Sequence, residues 1–182
     1  LPVYLKAEAK PDVLNPNEEG KIEFVFDSKK CAEWGPVYDN VLLVLNGKKV
    51  ADDAHKITIN ATVMDDFSKM TIEEKRQAPI LEIKSPNLIL GSMKQGSIVR
   101  GKAIIKNSGQ KALEIRRVIN NNSNITVHPG KLSIRGGKTG ELKIDIDTKA
   151  FPVGDYKKSF IIQTNDPGNS FMTYTISWSV KK

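Results

Sequence analysis

The sequence predicts an all-β fold: two β-sandwiches in tandem, the first incomplete at its N-terminal side, joined by a short helical linker. Three observations carry this. Short apolar or alternating runs recur with turn chemistry between them, at the roughly 8–12-residue spacing of sandwich strands. The stretch from Leu132 to Val180 has an earlier counterpart in the same order. Residues 80–182 have the size of an immunoglobulin-like sandwich, which takes ~100 residues and about seven strands.

The internal repeat runs residue by residue. Gly20 through Asp27 to Lys29 matches Gly140 through Asp147 to Lys149, each after a leucine, Leu14 or Leu132. Both copies then reach a glycine and a tyrosine: Gly35 and Tyr38, Gly154 and Tyr156. Val41–Asn46 matches Phe160–Asn165, and Ile57–Val63 matches Tyr174–Val180. Strands kept in order while turn lengths drift are what a duplicated unit shows.

In chain order, Val3–Ala9 reads as a strand. Lys10-Pro-Asp12 and Asn15-Pro-Asn17 read as turns, because proline presets φ and asparagine bonds to its own backbone. Lys21–Phe26 alternates, with Ile22, Phe24 and Phe26 on one face, so it is a half-buried strand. Val41–Leu45 is continuous and apolar, which predicts a central strand covered on both sides. Asn46-Gly47 is a hairpin signal, since both residues tolerate positive φ. Ile57–Val63 alternates and closes the first copy. Residues 65–79 differ: Thr71-Ile-Glu-Glu74 is a capping-box pattern, Lys75 and Arg76 suit a helix C-terminus, and Pro79 stops it. The domain plan is therefore 1–64 partial sandwich, 65–79 linker with a short helix, and 80–182 complete sandwich.

In the second copy, Leu81–Ile83 and Leu88–Leu90 are short strands, and Gly91 and Gly96 bracket a turn. Ile98–Lys106 is a strand with Val99, Ala103 and Ile105 inward and Arg100, Lys102 and Lys106 outward. Asn107-Ser-Gly109 turns, Leu113–Val118 is a strand, Asn120–Asn124 is a polar loop, and Ile125–Val127 resumes. The first copy has counterparts only of residues 125–180. Half a sandwich leaves Phe24, Phe26 and Leu42 without a facing sheet, at roughly 25 cal/mol per Å² of exposed apolar surface. The missing strands are expected upstream in a parent protein or from another chain.

Composition bounds the function. Hydrophobic residues at 39% and charged residues at 27% fit a globular chain rather than a disordered one. The single cysteine, Cys31, excludes an internal disulfide and a multi-cysteine zinc site; it reads as a half-buried small side chain. Net charge is +7, divided unevenly: residues 1–79 carry 11 Lys+Arg against 14 Asp+Glu, and residues 80–182 carry 17 against 7. A basic second half draws polyanions, with Arg100, Lys102, Lys106 and Lys157 as its outward candidates; equally, lysines keep exposed strands from pairing with other chains.

Motifs for chemistry are weak. His55 and His128 have no Cys or His at ligand spacing, so no metal or other cofactor is expected. Gly136-Gly-Lys-Thr-Gly140 has the tail of a phosphate loop but lacks the leading glycine and is followed by a strand, so it reads as a β-turn. Asp52-Asp53 and Asp65-Asp66 lack the spaced oxygens of a calcium loop and read as solvated turns. No nucleophile elbow is present.

Asn165-Asp166-Pro167 after an apolar strand, the Gly140 strand, Gly91, Gly96 and Asn107-Ser-Gly109 together resemble a bacterial family of immunoglobulin-like domains of unknown function. It is related to the abnormal-spindle, hydin and major-sperm-protein sandwiches. Asp65–Ser68, Glu73-Glu74 and Ala78-Pro79 are similar to the linker of its multi-domain members. The resemblance covers nearly the whole chain. It implies a secreted or periplasmic protein of Gram-negative bacteria, with a signal peptide and further sandwiches upstream. It implies no reaction. Relatives often carry Cys-Gly-Cys where this chain has Asn120–Ser123, so no thiol or metal role is carried over.

Three functional readings follow. The first is a non-enzymatic structural or binding module of the bacterial envelope, acting through loops and strand edges on a protein or envelope polymer; nucleic acid is not the expected partner. The second is polyanion or glycan binding by the basic second domain. The third is an enzyme with a site at the domain junction, which no motif supports.

Overall fold

The computed structural model describes residues 1–50, 52 and 55–182. The chain divides into two compact units, Leu1–Met64 and Asp65–Lys182.

The second unit is a β-sandwich. A capping box opens helix α1 (Ile72–Gln77): Thr71 accepts the N–H of Glu74, whose carboxylate accepts the N–H of Thr71. Nine strands follow: β7 (Leu81–Ile83), β8 (Asn87–Lys94), β9 (Ile98–Asn107), β10 (Leu113–Ile119), β11 (Ile125–Pro129), β12 (Ser133–Ile134), β13 (Thr139–Asp147), β14 (Gly154–Thr164) and β15 (Phe171–Lys181). One sheet has the order β12-β10-β14-β15-β8, the other β11-β13-β9-β7. All neighbours are antiparallel except β15 and β8. The alternation read from the sequence holds: on β9, Ala103 and Ile105 are buried and Arg100, Lys102 and Lys106 exposed. One apolar core joins both sheets, with Ile105, Leu142, Ile144, Ile146, Ile162 and Ile176 fully enclosed. Phe151, Tyr156 and Trp178 form an aromatic corner with ring centroids 4.9–5.4 Å apart. Helix α1 falls within this unit, whose start is fastened by Arg116 donating to both oxygens of Asp65 at 2.9 and 3.1 Å.

The expected turn between Gly91 and Gly96 is corrected. Only Gly96 lies in a turn; Gly91, at φ +77°, lies inside β8. There the register with β15 slips by one residue, from Ile89 opposite Ser177 to Ser92 opposite Ser179. A glycine at positive φ takes up the extra residue of such a bulge.

Among the described residues, the first unit has three two-stranded pairs: β1 (Leu5–Lys10) with β2 (Lys21–Phe26), β3 (Gly35–Leu42) with β6 (Lys56–Val63), and the hairpin β4 (Val44–Leu45) with β5 (Lys48–Lys49). The hairpin turns on Asn46 and Gly47, both at positive φ, as a two-residue turn requires. Val41–Leu45 is not a covered central strand. Leu42 is 43% exposed and Val44 58%, and β3 has one neighbour in its sheet, β6, among the described residues.

The pairing registers of the two units repeat. Leu5 opposes Phe26 as Ile125 opposes Ile146. Gly35 opposes Val63 as Gly154 opposes Val180. Asp27 and Asp147 each close a 3₁₀ turn by accepting the N–H two residues on, from Lys29 and Lys149. Burial does not repeat. Among the described residues, three hydrophobic residues of the first unit are buried (Leu5, Val37 and Val63), against nineteen in the second.

Candidate functional site

The four predicted cations are not brought together. Arg100, Lys102 and Lys106 line the outer face of the β11-β13-β9-β7 sheet, while Lys157 is on β14 in the other sheet. Strand register sets an acid beside each of the first three: Asp145 at 3.8 Å from Arg100, Glu141 at 3.2 Å from Lys102, and Glu82 at 3.2 Å from Lys106. These exposed pairs soften the positive field of that face without abolishing it.

The remaining candidates take quiet positions. His128 is exposed on β11. His55 is paired with the Asp52 carboxylate through Nδ1. Asp53, the other half of the first acidic pair, lies outside the described residues. Hydrogen bonds from the Ser68 side chain and then from its backbone N–H hold the Asp66 carboxyl below the usual range. Cys31 is half-buried with Sγ 3.7 Å from the Glu33 carbonyl. Gly136 and Gly137 make the turn from β12 towards β13, with Gly137 at φ +70°, and Thr139 and Gly140 already belong to β13. Among the described residues, no group of three His, Cys, Asp or Glu side chains could hold a metal.

The motif residues Asn107, Asn165 and Asp166 turn out to be internal fasteners. Asn107 is fully buried. Its Oδ1 accepts from Ile80 and Gly109, and its Nδ2 donates to the carbonyls of Lys111 and Ile134. Asn165 accepts from Glu114 at 2.7 Å and donates to Ala112 at 3.1 Å. Asp166 accepts from Leu81 and Gly168, both at 2.8 Å. Sequence marked these side chains but not their work, because the partners sit up to 85 residues away.

Strand edges are also open in the first unit. Among the described residues, β2 pairs only with β1, and β3 only with β6. Unpaired strand edges offer rows of backbone donors and acceptors. Between β2 and β3 lies a groove of ≈ 650 Å³, lined by Ala7, Ala9, Ile22, Phe24, Val41 and Leu42 among others. Asp39 is at its wall, held by the Tyr4 hydroxyl at 3.1 Å. Desolvation, then this hydrogen bond, pushes the Tyr4 phenol up, so Tyr4 stays a donor and not a base. Glu23, on the outward face of β2, is held below the usual carboxylate range by Lys10 and then Lys21.

Comparison with known proteins bears on the second unit. The family model described as HYDIN/CFA65/VesB-like, Ig-like domain matches residues 79–177, more than half of the chain. Among solved structures, a protein of unknown function from Porphyromonas gingivalis W83 is similar over 98% of this chain and 81% of its own, at 19% identity and a TM-score of 0.66. The VesB protease of Vibrio cholerae is similar over 59% of this chain and 33% of its own, at 16% identity and a TM-score of 0.45. A PapD-like domain of human CEP192 is similar over 67% of this chain and 97% of its own, at 11% identity and a TM-score of 0.42. No curated protein matches the sequence. The first likeness shows a shared fold, and the family match coincides with the sandwich built by β7–β15. The chain belongs to the HYDIN/CFA65/VesB-like Ig-like domain family.

Proposed function

We propose that the chain is a non-catalytic binding module of the bacterial envelope, periplasmic or secreted, that engages a protein partner through strand edges and loops. One observation carries this reading: among the described residues, β11 and β7 end one sheet of the second unit and β12 and β8 end the other, each paired on one side alone. Such edges bind extended polypeptide by adding it to the sheet. The test is co-sedimentation of the 182-residue protein with bacterial outer-membrane vesicles and with protein-free lipid vesicles. Association with the protein-bearing vesicles alone supports the reading, and association with neither defeats it. Turnover in a panel of peptide and glycan substrates would replace it with an enzymatic one.

A second reading is polyanion binding by the second unit, favoured by its composition: residues 65–182 hold 20 Lys+Arg against 11 Asp+Glu. It requires retention on immobilised heparin that falls as salt rises. Equal retention on a neutral polymer counts against it.

A further inference from the structure

On the outer face of the β11-β13-β9-β7 sheet, positive charge is answered everywhere but in one place. Cross-strand register sets Arg100 opposite Asp145, but it sets Lys143 between Lys102 on β9 and His128 on β11. No acid stands directly across from Lys143, and like charges directly opposite one another weaken a sheet. Lys102 is drawn to Oε2 of Glu141 at 3.2 Å. Among the described residues, Lys143 has no ion-pair partner, and neither has Lys131, two residues past the end of β11. Both lysines are exposed and border a hollow of ≈ 340 Å³. Ile104 also borders it and is 53% exposed, an apolar surface left uncovered. Gly130 opens one side. A Cβ there would stand 3.2 Å from Cγ of Glu141 and 3.9 Å from its Oε1, so the missing side chain leaves that carboxylate oxygen at the hollow's edge. The Thr139 hydroxyl completes the lining.

Resting on the polyanion reading above, we propose that this hollow seats one acidic sugar unit of an anionic polysaccharide. Its sulfate or carboxylate lies between Lys131 and Lys143, its ring covers Ile104, and its hydroxyls donate to Glu141 and share hydrogen bonds with Thr139. The volume is at the small end of ligand sites, which begin at about 300 Å³, and suits one ring rather than a length of chain. The mixture of groups selects the ligand. A carboxylate has only lone pairs to offer, and the phosphodiesters of a DNA strand are acceptors too, so Glu141 repels them. Nor do β9, β11 and β13 contain a Phe, Tyr or Trp on which bases could stack. An acidic sugar answers every group at once: an anion for the lysines, hydroxyl donors for the carboxylate, and a C–H face for the isoleucine. The four cations read from the sequence then supply the surrounding field and not the contact, since three are paired with acids and Lys157 is in the other sheet.

The probe is a heparin hexasaccharide, titrated into the full 182-residue protein and followed by calorimetry and by the amide shifts of its NMR spectrum. The expected result is binding that weakens as salt rises, with the largest shift changes at Ile104, Gly130, Lys131 and Lys143. Lys131→Gln combined with Lys143→Gln weakens it about ten-fold, the sum of two exposed charge contacts. Both side chains are exposed, so this variant keeps the fold. Lys157→Gln combined with Lys158→Gln removes the same charge from the other sheet and changes binding less than about two-fold, because solvent screens charges that distant. Oligo-dT binds more weakly than the hexasaccharide at the same salt. Equal weakening by the two double variants, or shift changes centred away from the hollow, overturns the site and leaves the polyanion reading standing. Tighter binding of oligo-dT at the same residues overturns the sugar assignment. Binding of neither probe overturns the proposal and that reading together.

Discussion

Asp166 reaches back 85 residues to accept the backbone N–H of Leu81 at 2.8 Å, and only 4% of it is exposed. One carboxylate thereby ties the turn after β14 to the first residue of β7, joining the two sheets at one end of the sandwich.

Asp166→Ala removes that acceptor and leaves the Leu81 amide buried without one. The expected loss is ~1–3 kcal/mol from the second unit, read as a lower urea midpoint. An unchanged midpoint would mean that the tie contributes nothing.

Gly136→Ala puts a Cβ 2.2 Å from the Gln110 carbonyl oxygen, a backbone atom that cannot step aside. The turn before β13 must shift, at ~1–3 kcal/mol. Gly137→Ala is the informative neighbour. Nothing lies within 4 Å of its Cβ, so its cost comes from positive φ alone and is about 1 kcal/mol. Thermal melts of the pair separate crowding from backbone strain.

Thr71→Ala breaks the capping box and should lower the stability of α1 by ~1 kcal/mol, seen as faster amide exchange over Ile72–Gln77. The box also carries a pH signature. Hydrogen bonds from Thr71 hold the Glu74 carboxyl below its ordinary 4.5. A depressed folded value means that the contribution is complete above the unfolded value and is lost as pH falls through the folded one. Amide protection factors over α1, which divide out the intrinsic pH dependence of exchange, should therefore fall in acid below about pH 4.5 in the wild type and less so in Glu74→Gln.

Lys102→Ala should change stability by less than about 1 kcal/mol, because its pair with Glu141 is exposed. If the polyanion reading holds, the same variant elutes earlier from heparin, and Lys157→Ala on the other sheet does so independently.

Much of this was legible in the residues. Alternation placed Ala103 and Ile105 inward and Lys102 outward, because a strand with one wet face must alternate. Asn46-Gly47 and Thr71–Glu74 were readable because turns and caps are local chemistry. What escaped depended on distant neighbours. Val41–Leu45 has the composition of a covered strand, but coverage is supplied by other strands, and among the described residues Leu42, Val44 and Leu45 stay exposed. Gly91 signals positive φ equally well in a turn or a bulge, and only the pairing with β15 decides. Likewise, the acids beside Arg100, Lys102 and Lys106 follow from cross-strand register, which one strand read alone does not contain.

The parallel contact between β8 and β15 governs the order in which the sandwich assembles. Of this unit's strands β15 is the last in chain order, yet it sits between β14 and β8, so β8 has no partner in its own sheet until residues 171–181 arrive. A ribosome-bound chain would hold Leu88 and Leu90 open until β15 emerges, and closure of the sandwich must wait for that strand. Folding should thus be slow and late, set by a contact spanning nearly the entire unit.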